Sequence, residues 1–191
     1  QGVIKTAYEQ LQKPAGLQIM VATYFESLRD NAELAYSLPV DAIHIDLCRN
    51  TGRANTTAND PNADVKQAID MAGDKIISLG VVDGRNIWRN DLEASLMLIE
   101  QAVNALGSDK VWVAPSCSLL HTPVDLANET ALDEELKSWL AFASQKIDEI
   151  AILAKGANEG RGAIADELAA SNAAQASRKS SPRIHDSAVK D

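Results

Sequence analysis

The chain has 191 residues, of which 46% are hydrophobic and 24% are charged, enough for one domain with an apolar core. Its net charge of −9 argues against nucleic acid as the main partner. No apolar run is long enough to cross a bilayer, so we expect no membrane partner. Its cysteines, Cys48 and Cys117, are too few for a disulfide framework and indicate a reduced, cytoplasmic compartment.

The spacing of apolar residues predicts alternating strands and helices. Strands are predicted at residues 17–23, 42–47, 75–82 and 111–114. Helices are predicted at residues 1–12, 27–37, from 62 to about 72, 90–106, 130–155 and 163–176. The polar residues 49–60 predict a loop, and residues 177–191 predict a linker or tail.

Residues typical of helix ends set these bounds. The expected helix starts are a capping box over residues 27–30, Asn62, Asn90 with Glu93, and Thr130 with Asp133. Gly107 and Gly156 are the expected stops.

A strand followed by a helix four times predicts an α/β fold with a parallel sheet. Four strands form either a small open sheet or half of a TIM-type (β/α)8 barrel, and the long connections after the strands favour the half barrel. We assign residues 1–157 to the half barrel and residues 158–191 to a weak helix and an interdomain linker. Two open strand edges, together with a start at Gln1 rather than Met, predict a piece of a longer protein.

Polar groups follow each predicted strand, at the edge of the sheet where ligands bind in parallel α/β folds. These groups are residues 23–25, 46–48, 83–86 and 116–118. In a barrel they would converge on one mouth.

The interpretation of single residues in these groups stays open. Asp46 shares a strand face with His44 and is either a ligand or base, or a carboxylate bound to backbone N–H groups or an arginine. Cys117 is either a thiolate or a buried, inert cysteine. His121 is either an acid–base group or a structural hydrogen-bond donor.

Residues 83–89 form the predicted turn with the most functional groups, since Arg85 and Arg89 flank Trp88 there. Two arginines beside a tryptophan are typical of a site for a carboxylate or a stacked ring. The same residues also fit an ion-pair network at the rim of the sheet.

Several segments in order closely resemble the cobalamin-independent methionine synthase family, the 5-methyltetrahydropteroyltriglutamate–homocysteine methyltransferases. They are residues 23–26, 44–47, 80–89, 112–121, 129–130 and 137–143. The resemblance runs from about Leu17 to the end of the chain.

The resemblance implies that the full protein is a methyltransferase with two barrels. It would transfer a methyl group from 5-methyltetrahydrofolate polyglutamate to homocysteine, with zinc in the C-terminal barrel and no cobalamin. This chain would be the second half of the N-terminal barrel and the start of the interdomain linker. Its partners would then be folate polyglutamate, homocysteine and the remainder of the same polypeptide, and the chain alone would be inactive.

The same resemblance implies roles for individual residues. Asp46 and Cys117 take the places of a zinc-binding Glu and Cys of the other barrel, so we interpret them as vestigial positions without metal. We expect no catalytic residue in this segment. Asp83, Arg85 and Arg89 are the candidate substrate-binding residues, at the folate tail.

Two other classes of function are alternatives to a segment of a methionine synthase. The first is a stand-alone enzyme of the same barrel superfamily that uses Asp46, Asp83 and Arg85 directly. The second is a non-catalytic interaction module whose open sheet edges bind a partner.

Overall fold

The computed structural model describes residues 2–11, 16–48 and 60–184, and these contain a four-stranded parallel sheet. The strands are β1 (Met20–Ala22), β2 (Ala42–Asp46), β3 (Ile76–Val82) and β4 (Val111–Pro115). Each strand pairs with the next one along the chain, in the order β1-β2-β3-β4. The predicted α/β fold with four βα units is therefore confirmed, while closure into a TIM-type barrel stays a prediction.

Helices separate the strands and follow the last one. They are α1 (Gly2–Leu11), α2 (Ala32–Tyr36), α3 (Pro61–Met71), α4 (Leu92–Leu106), α5 (Glu134–Trp139), α6 (Ala143–Glu159) and α7 (Ala165–Ser180). None of the helices in the described ranges is both long and apolar enough to span a membrane.

The core lies between the central strands and the helices that cover them. Ile43 of β2 and Ile77 of β3 are fully buried, as are Leu96 and Ile99 of α4. Their burial follows from the apolar strands of a parallel sheet packing against one face of each amphipathic helix. The sheet edges are more open, since Met20 of β1 and Trp112 of β4 are each almost half exposed.

Strand β3 contains a bulge where it pairs with β4. Gly80 lies opposite Ala114, but Val82 rather than Val81 lies opposite Pro115. One extra residue in β3 therefore shifts the register just before the strand ends. Gly80 also allows a close approach of neighbouring strands, because a Cβ there would lie 2.8 Å from both Ile45 O and Ser116 Cα.

Three predicted helix starts are corrected. Asp60, not Asn62, caps α3, because its Oδ1 accepts a hydrogen bond from Asn62 N and Pro61 occupies the first helical position. Asp91, not Asn90, caps α4 by accepting from Ala94 N. The helix predicted from residue 27 begins as a short 3-10 turn at residues 29–31, and α2 proper begins at Ala32.

The single long helix predicted over residues 130–155 is wrong, because the chain forms α5 and α6 with a break between them. Leu140 is extended and forms an antiparallel bridge with Trp88. Arg89 N donates to Trp139 O and Ala141 N donates to Ile87 O, each at 2.8 Å. Pairing with residues 87–89 therefore replaces the helical hydrogen bonds at the break.

The predicted stop at Gly156 is also wrong. Helix α6 continues to Glu159 and ends at Gly160, which has a φ of 88°. Gly156 instead lets the buried Ile164 pack closely on α6, because a Cβ there would lie 2.5 Å from Ile164 Cδ1.

The C-terminal prediction is tested only in part. Helix α7 runs to Ser180, past the predicted end at residue 176. Residues 49–59 of the predicted loop and residues 185–191 of the predicted tail lie outside the described residues. The domain division at residues 157 and 158 stays a prediction.

Candidate functional site at the carboxyl ends of the strands

The carboxyl ends of the strands bring together a strand-end cluster, which we define as Asp46, Asp83, Arg85, Ser116 and Cys117. Asp46 ends β2 and is 1% exposed. Its Oδ1 accepts from Cys48 N at 2.9 Å and its Oδ2 accepts from Phe25 N at 3.0 Å. Burial raises the pKa of Asp46, although Arg85 and these two N–H groups oppose the rise.

Arg85 lies between the two carboxylates of the cluster. Its Nη2 is 3.6 Å from Asp46 Oδ2, and its Nε is 3.5 Å from Asp83 Oδ1. Nη2 also donates to Cys48 O. Nε is buried and has no hydrogen-bond partner among the residues that the structure describes. Two carboxylates therefore face one guanidinium, and Lys146 of α6 adds a further attraction to Asp83.

The turn after β3 is held by its own side chains and by the β4 end. Asp83 Oδ1 accepts from Arg85 N at 2.8 Å, and Asp83 Oδ2 accepts from Asn86 Nδ2 at 2.7 Å. Gly84 N donates to Ser116 Oγ at 3.2 Å. These bonds give the turn a defined conformation and fix the base of the Arg85 side chain.

Cys117 packs directly against this turn. A Cβ at Gly84 would lie 2.9 Å from Cys117 O and 3.1 Å from Cys117 Sγ. Burial is the main influence on the Cys117 thiol and raises its pKa, although Ser116 and Arg85 act against it. The buried, protonated thiol is a poor nucleophile and a poor metal ligand.

Burial also keeps Cys48 and His44 neutral. Burial and the nearby carboxylates raise the pKa of Cys48 far above the usual range, and its Sγ donates to Gly80 O. Burial lowers the pKa of His44, whose Nε2 lies 3.2 Å from Ser116 O and whose Nδ1 lies 3.0 Å from Ser78 Oγ. A neutral ring that donates from Nε2 and accepts at Nδ1 satisfies both contacts.

Aromatic side chains form the outer wall of the cluster. Tyr24 and Phe25 are about half exposed and pack edge-to-face on His44 and His121, respectively. The Phe25 ring centroid is also 5.7 Å from Arg85 Cζ. Phe25 adopts a φ of 69°, unusual for an aromatic residue, and its amide binds Asp46 in this conformation.

The structure separates the three candidate substrate-binding residues. Asp83 and Arg85 lie in the strand-end cluster. Arg89 lies beyond the turn, where its Nη1 donates to Ser138 O on α5 at 3.4 Å.

Two buried charged residues of α6 bind the backbone next to Arg89 and were not predicted from the sequence. Lys146 of α6 is fully buried and its Nζ donates to Trp88 O at 3.0 Å. Glu149 is 6% exposed, and its Oε1 accepts from Asn90 N at 2.9 Å. Their i, i+3 spacing indicates only that they share a helix face, since such pairs are also usual on exposed faces.

The arrangement does not fit a metal site. Both Asp46 oxygens accept from backbone N–H groups, and Cys117 is protonated. In residues 2–11, 16–48 and 60–184, no group of three or more His, Cys, Asp and Glu side chains is placed to hold a metal ion. The cluster is built for hydrogen bonding and for fixing the turn after β3.

Comparison with known proteins bears on the identity of this sheet. Residues 1–107 match the sequence profile described as the N-terminal domain of cobalamin-independent synthase. The chain belongs to this family. The resemblance inferred from the strand-end motifs is thus confirmed.

Relatives in three bacteria carry the name 5-methyltetrahydropteroyltriglutamate–homocysteine methyltransferase. The Acidithiobacillus ferrooxidans protein is 51% identical over 97% of this chain. The Nitrobacter winogradskyi protein is 48% identical over 98%, and the Coxiella burnetii protein is 48% identical over 94%. The chain spans only 22–23% of the length of these curated relatives, so it corresponds to part of a cobalamin-independent synthase.

Proposed function

We propose that the chain is a segment of the N-terminal domain of a methyltransferase that makes methionine from 5-methyltetrahydropteroyltriglutamate and homocysteine. The observation that carries this proposal is the identity of 48–51% over nearly the whole chain to relatives of that name. The segment acts as a scaffold for the folate side of the reaction, and the full protein acts in the cytoplasm.

The open sheet supports a half barrel that the remainder of the polypeptide completes. A groove of about 350 Å³ beside β4 is lined by apolar residues of α4, β4 and α6, including Val103, Trp112 and Ala157. An exposed strand edge beside such a groove favours association with further strands. We propose a (β/α)8 barrel of which residues 1–157 form one half, followed by the linker from residue 158.

Charge distribution distinguishes the two candidate arginines. A carboxylate of the folate tail would have to compete with Asp46 and Asp83 for Arg85. Arg89 instead donates to the neutral carbonyl of Ser138, and it acts on the buried carboxylate of Glu149 together with a second cation, Lys146. We therefore propose Arg89 as the residue that contacts the anionic tail, with Asp83 and Arg85 shaping the turn before it.

In this proposal zinc is bound by the C-terminal barrel of the full protein and not by this segment. Asp46 and Cys117 do not fit zinc, for the reasons given above, and we keep their interpretation as vestigial positions. Zinc in the C-terminal barrel would activate the homocysteine thiol, and the chemistry needs no cobalamin. No catalytic step is assigned to this segment.

The test is Arg89→Ala in the full-length enzyme. We expect the KM for 5-methyltetrahydropteroyltriglutamate to rise about tenfold, with the KM for homocysteine unchanged, because one charge-assisted contact is lost. Lys137→Ala, which removes a cation on the adjacent helix α5, is the matched control. An unchanged folate KM would contradict the role of Arg89, and methyl transfer by the 191-residue chain alone would contradict the scaffold role.

A further inference from the structure

The backbone that follows the turn is bound by side chains of α7. Gln175 Nε2 donates to Arg89 O at 3.0 Å. Ser171 Oγ donates to Asn90 O at 2.9 Å and accepts from Leu92 N at 3.2 Å. Ser171 is fully buried and Gln175 is 8% exposed, so water does not replace these partners easily.

Helix α6 and the α5–α6 break bind the same segment from another side. Lys146 Nζ donates to Trp88 O, and Glu149 Oε1 accepts from Asn90 N. Arg89 N donates to Trp139 O. Residues 88–92 are therefore held by groups that come 50 to 86 positions later in the chain.

Two tryptophan side chains contact α7 in the same region. Arg178 Cζ lies 4.8 Å from the centroid of the Trp88 ring. Trp139 Nε1 donates to Ser177 Oγ at 3.1 Å. Helix α7 thus contacts both the turn segment and the α5 end that pairs with it.

We propose that Ser171 and Gln175 are positioning residues, which set the conformation of the turn at residues 83–88 and the place of Arg89. Residues 88–92 connect the turn to α4. A movement of this segment would therefore also move the turn, because the two are joined by continuous backbone. Its consequence for the folate substrate rests on the function proposed above. A structural role limited to α7 would instead leave the turn unchanged when these side chains are removed.

The experiment uses Ser171→Ala and Gln175→Ala, made singly in the full-length protein, with hydrogen–deuterium exchange followed by mass spectrometry. The reporters are the amides of Gly84, Arg85 and Trp88, which donate to Ser116, Asp83 and Asn86 and not to α7. We expect these amides to exchange about tenfold faster, the factor that corresponds to one typical hydrogen bond. Peptides from β2 and α3 should keep their exchange rates.

Asn172→Ala is the matched control, since Asn172 is an exposed neighbour of Ser171 on the same helix. Ser171→Ala removes one oxygen and is the variant least prone to misfolding, so it keeps the test valid if Gln175→Ala does not fold. Faster exchange at Leu92 alone, with residues 84–88 unchanged, would overturn the proposal, because Leu92 N bonds Ser171 directly.

The folate KM of the same variants separates this inference from the proposed function. Faster exchange together with a raised folate KM supports both. Faster exchange with an unchanged folate KM supports the positioning role and counts against Arg89 as a folate contact.

Discussion

The strand-end cluster and the first turns of α6 both place charged groups against the 83–92 segment, but they differ in how their cations and carboxylates are paired. At the strand ends, Asp46 and Asp83 both pair with the guanidinium of Arg85, and Lys146 also attracts Asp83. At α6, the two cations Lys146 and Arg89 both act on the buried carboxylate of Glu149, and the neighbouring Asp148 opposes them. Arg85 is thus already engaged by two carboxylates, a difference in keeping with the role proposed above for Arg89.

The buried carboxylates of Asp46 and Glu149 also differ in how many of their oxygens accept a hydrogen bond. Asp46 has a hydrogen-bond donor on each oxygen. Glu149 Oε2 is buried without a hydrogen-bond partner in the described part of the chain. Asp46 is therefore expected to be structural, while Glu149 is held mainly by one amide and by the charge of Lys146.

The largest expected effect tests the α6 side, with Lys146→Met. Methionine keeps much of the buried volume but loses the bond to Trp88 O and removes one of the two cations that act on Glu149. We expect the free energy of unfolding to fall by about 4 kcal/mol, because the Trp88 carbonyl loses its donor and the buried Glu149 carboxylate loses a compensating charge. Chemical denaturation at neutral pH measures this, with Lys155→Met, an exposed lysine of the same helix, as the control. Equal stability of the two variants would show that the Lys146 charge has no structural role.

The corresponding change at the strand ends is Asp46→Asn. An asparagine amide cannot accept from both Phe25 N and Cys48 N, and it removes a counter-charge from Arg85. We expect a loss of about 3 kcal/mol in the free energy of unfolding. Asp74→Asn, an exposed change before β3, is the control in the same denaturation series. A loss no greater than that of the control would mean that Asp46 is not structural.

A smaller effect is expected from Gly84→Ala, which tests the contact between the turn and the β4 end. The new methyl group would lie 2.9 Å from the backbone oxygen of Cys117, so the turn must move. We expect a loss of about 2 kcal/mol, typical of overpacking. Gly162→Ala, where a Cβ has open space, is the matched control in thermal unfolding. Two variants with the same midpoint would contradict the tight contact.

The smallest effect is expected from Glu149→Gln. Glutamine can still accept from Asn90 N and removes a buried charge, so the loss at neutral pH should stay under about 1 kcal/mol. Control measurements use Glu159→Gln, an exposed glutamate at the end of the same helix.

The pH dependence of this variant provides a separate check. Burial is the main cause that raises the pKa of Glu149 in the folded state. The folded protein then binds the proton more tightly than the unfolded chain, so this residue increases stability as pH falls from the raised pKa towards the ordinary glutamate value. Glu149→Gln should lose that gain. An identical pH profile of the unfolding free energy in both proteins would contradict the raised pKa.

Local pattern was enough to predict the sheet and the members of the strand-end cluster. The strands are continuous apolar runs, and parallel strands place their carboxyl ends at one edge, so Asp46, Asp83 and Cys117 could be expected near one another. What could not be predicted is the balance of charge, because it depends on how Arg85 is oriented between two carboxylates.

The α6 side was missed because a tertiary contact overrides the local helical pattern. A helix from residue 130 to 155 would place Ile147 on the buried face, but the break at Leu140 restarts the helix with another phase. Ile147 is consequently 58% exposed, while Lys146 and Glu149 turn inward. The break depends on pairing with Trp88, about fifty positions earlier, and helical periodicity carries no sign of it.

The bulge between Gly80 and Val82 limits how this turn can be altered or transplanted. It lets β3 fit one more residue than β4 over the same stretch, immediately before Asp83 and Arg85. Deleting that residue would exchange the faces on which the side chains at the end of β3 emerge, because side chains alternate along a strand. The orientation of the turn therefore depends on the bulge. A graft of residues 83–89 into another sheet would keep its orientation only if residues 80–82 were transferred with it.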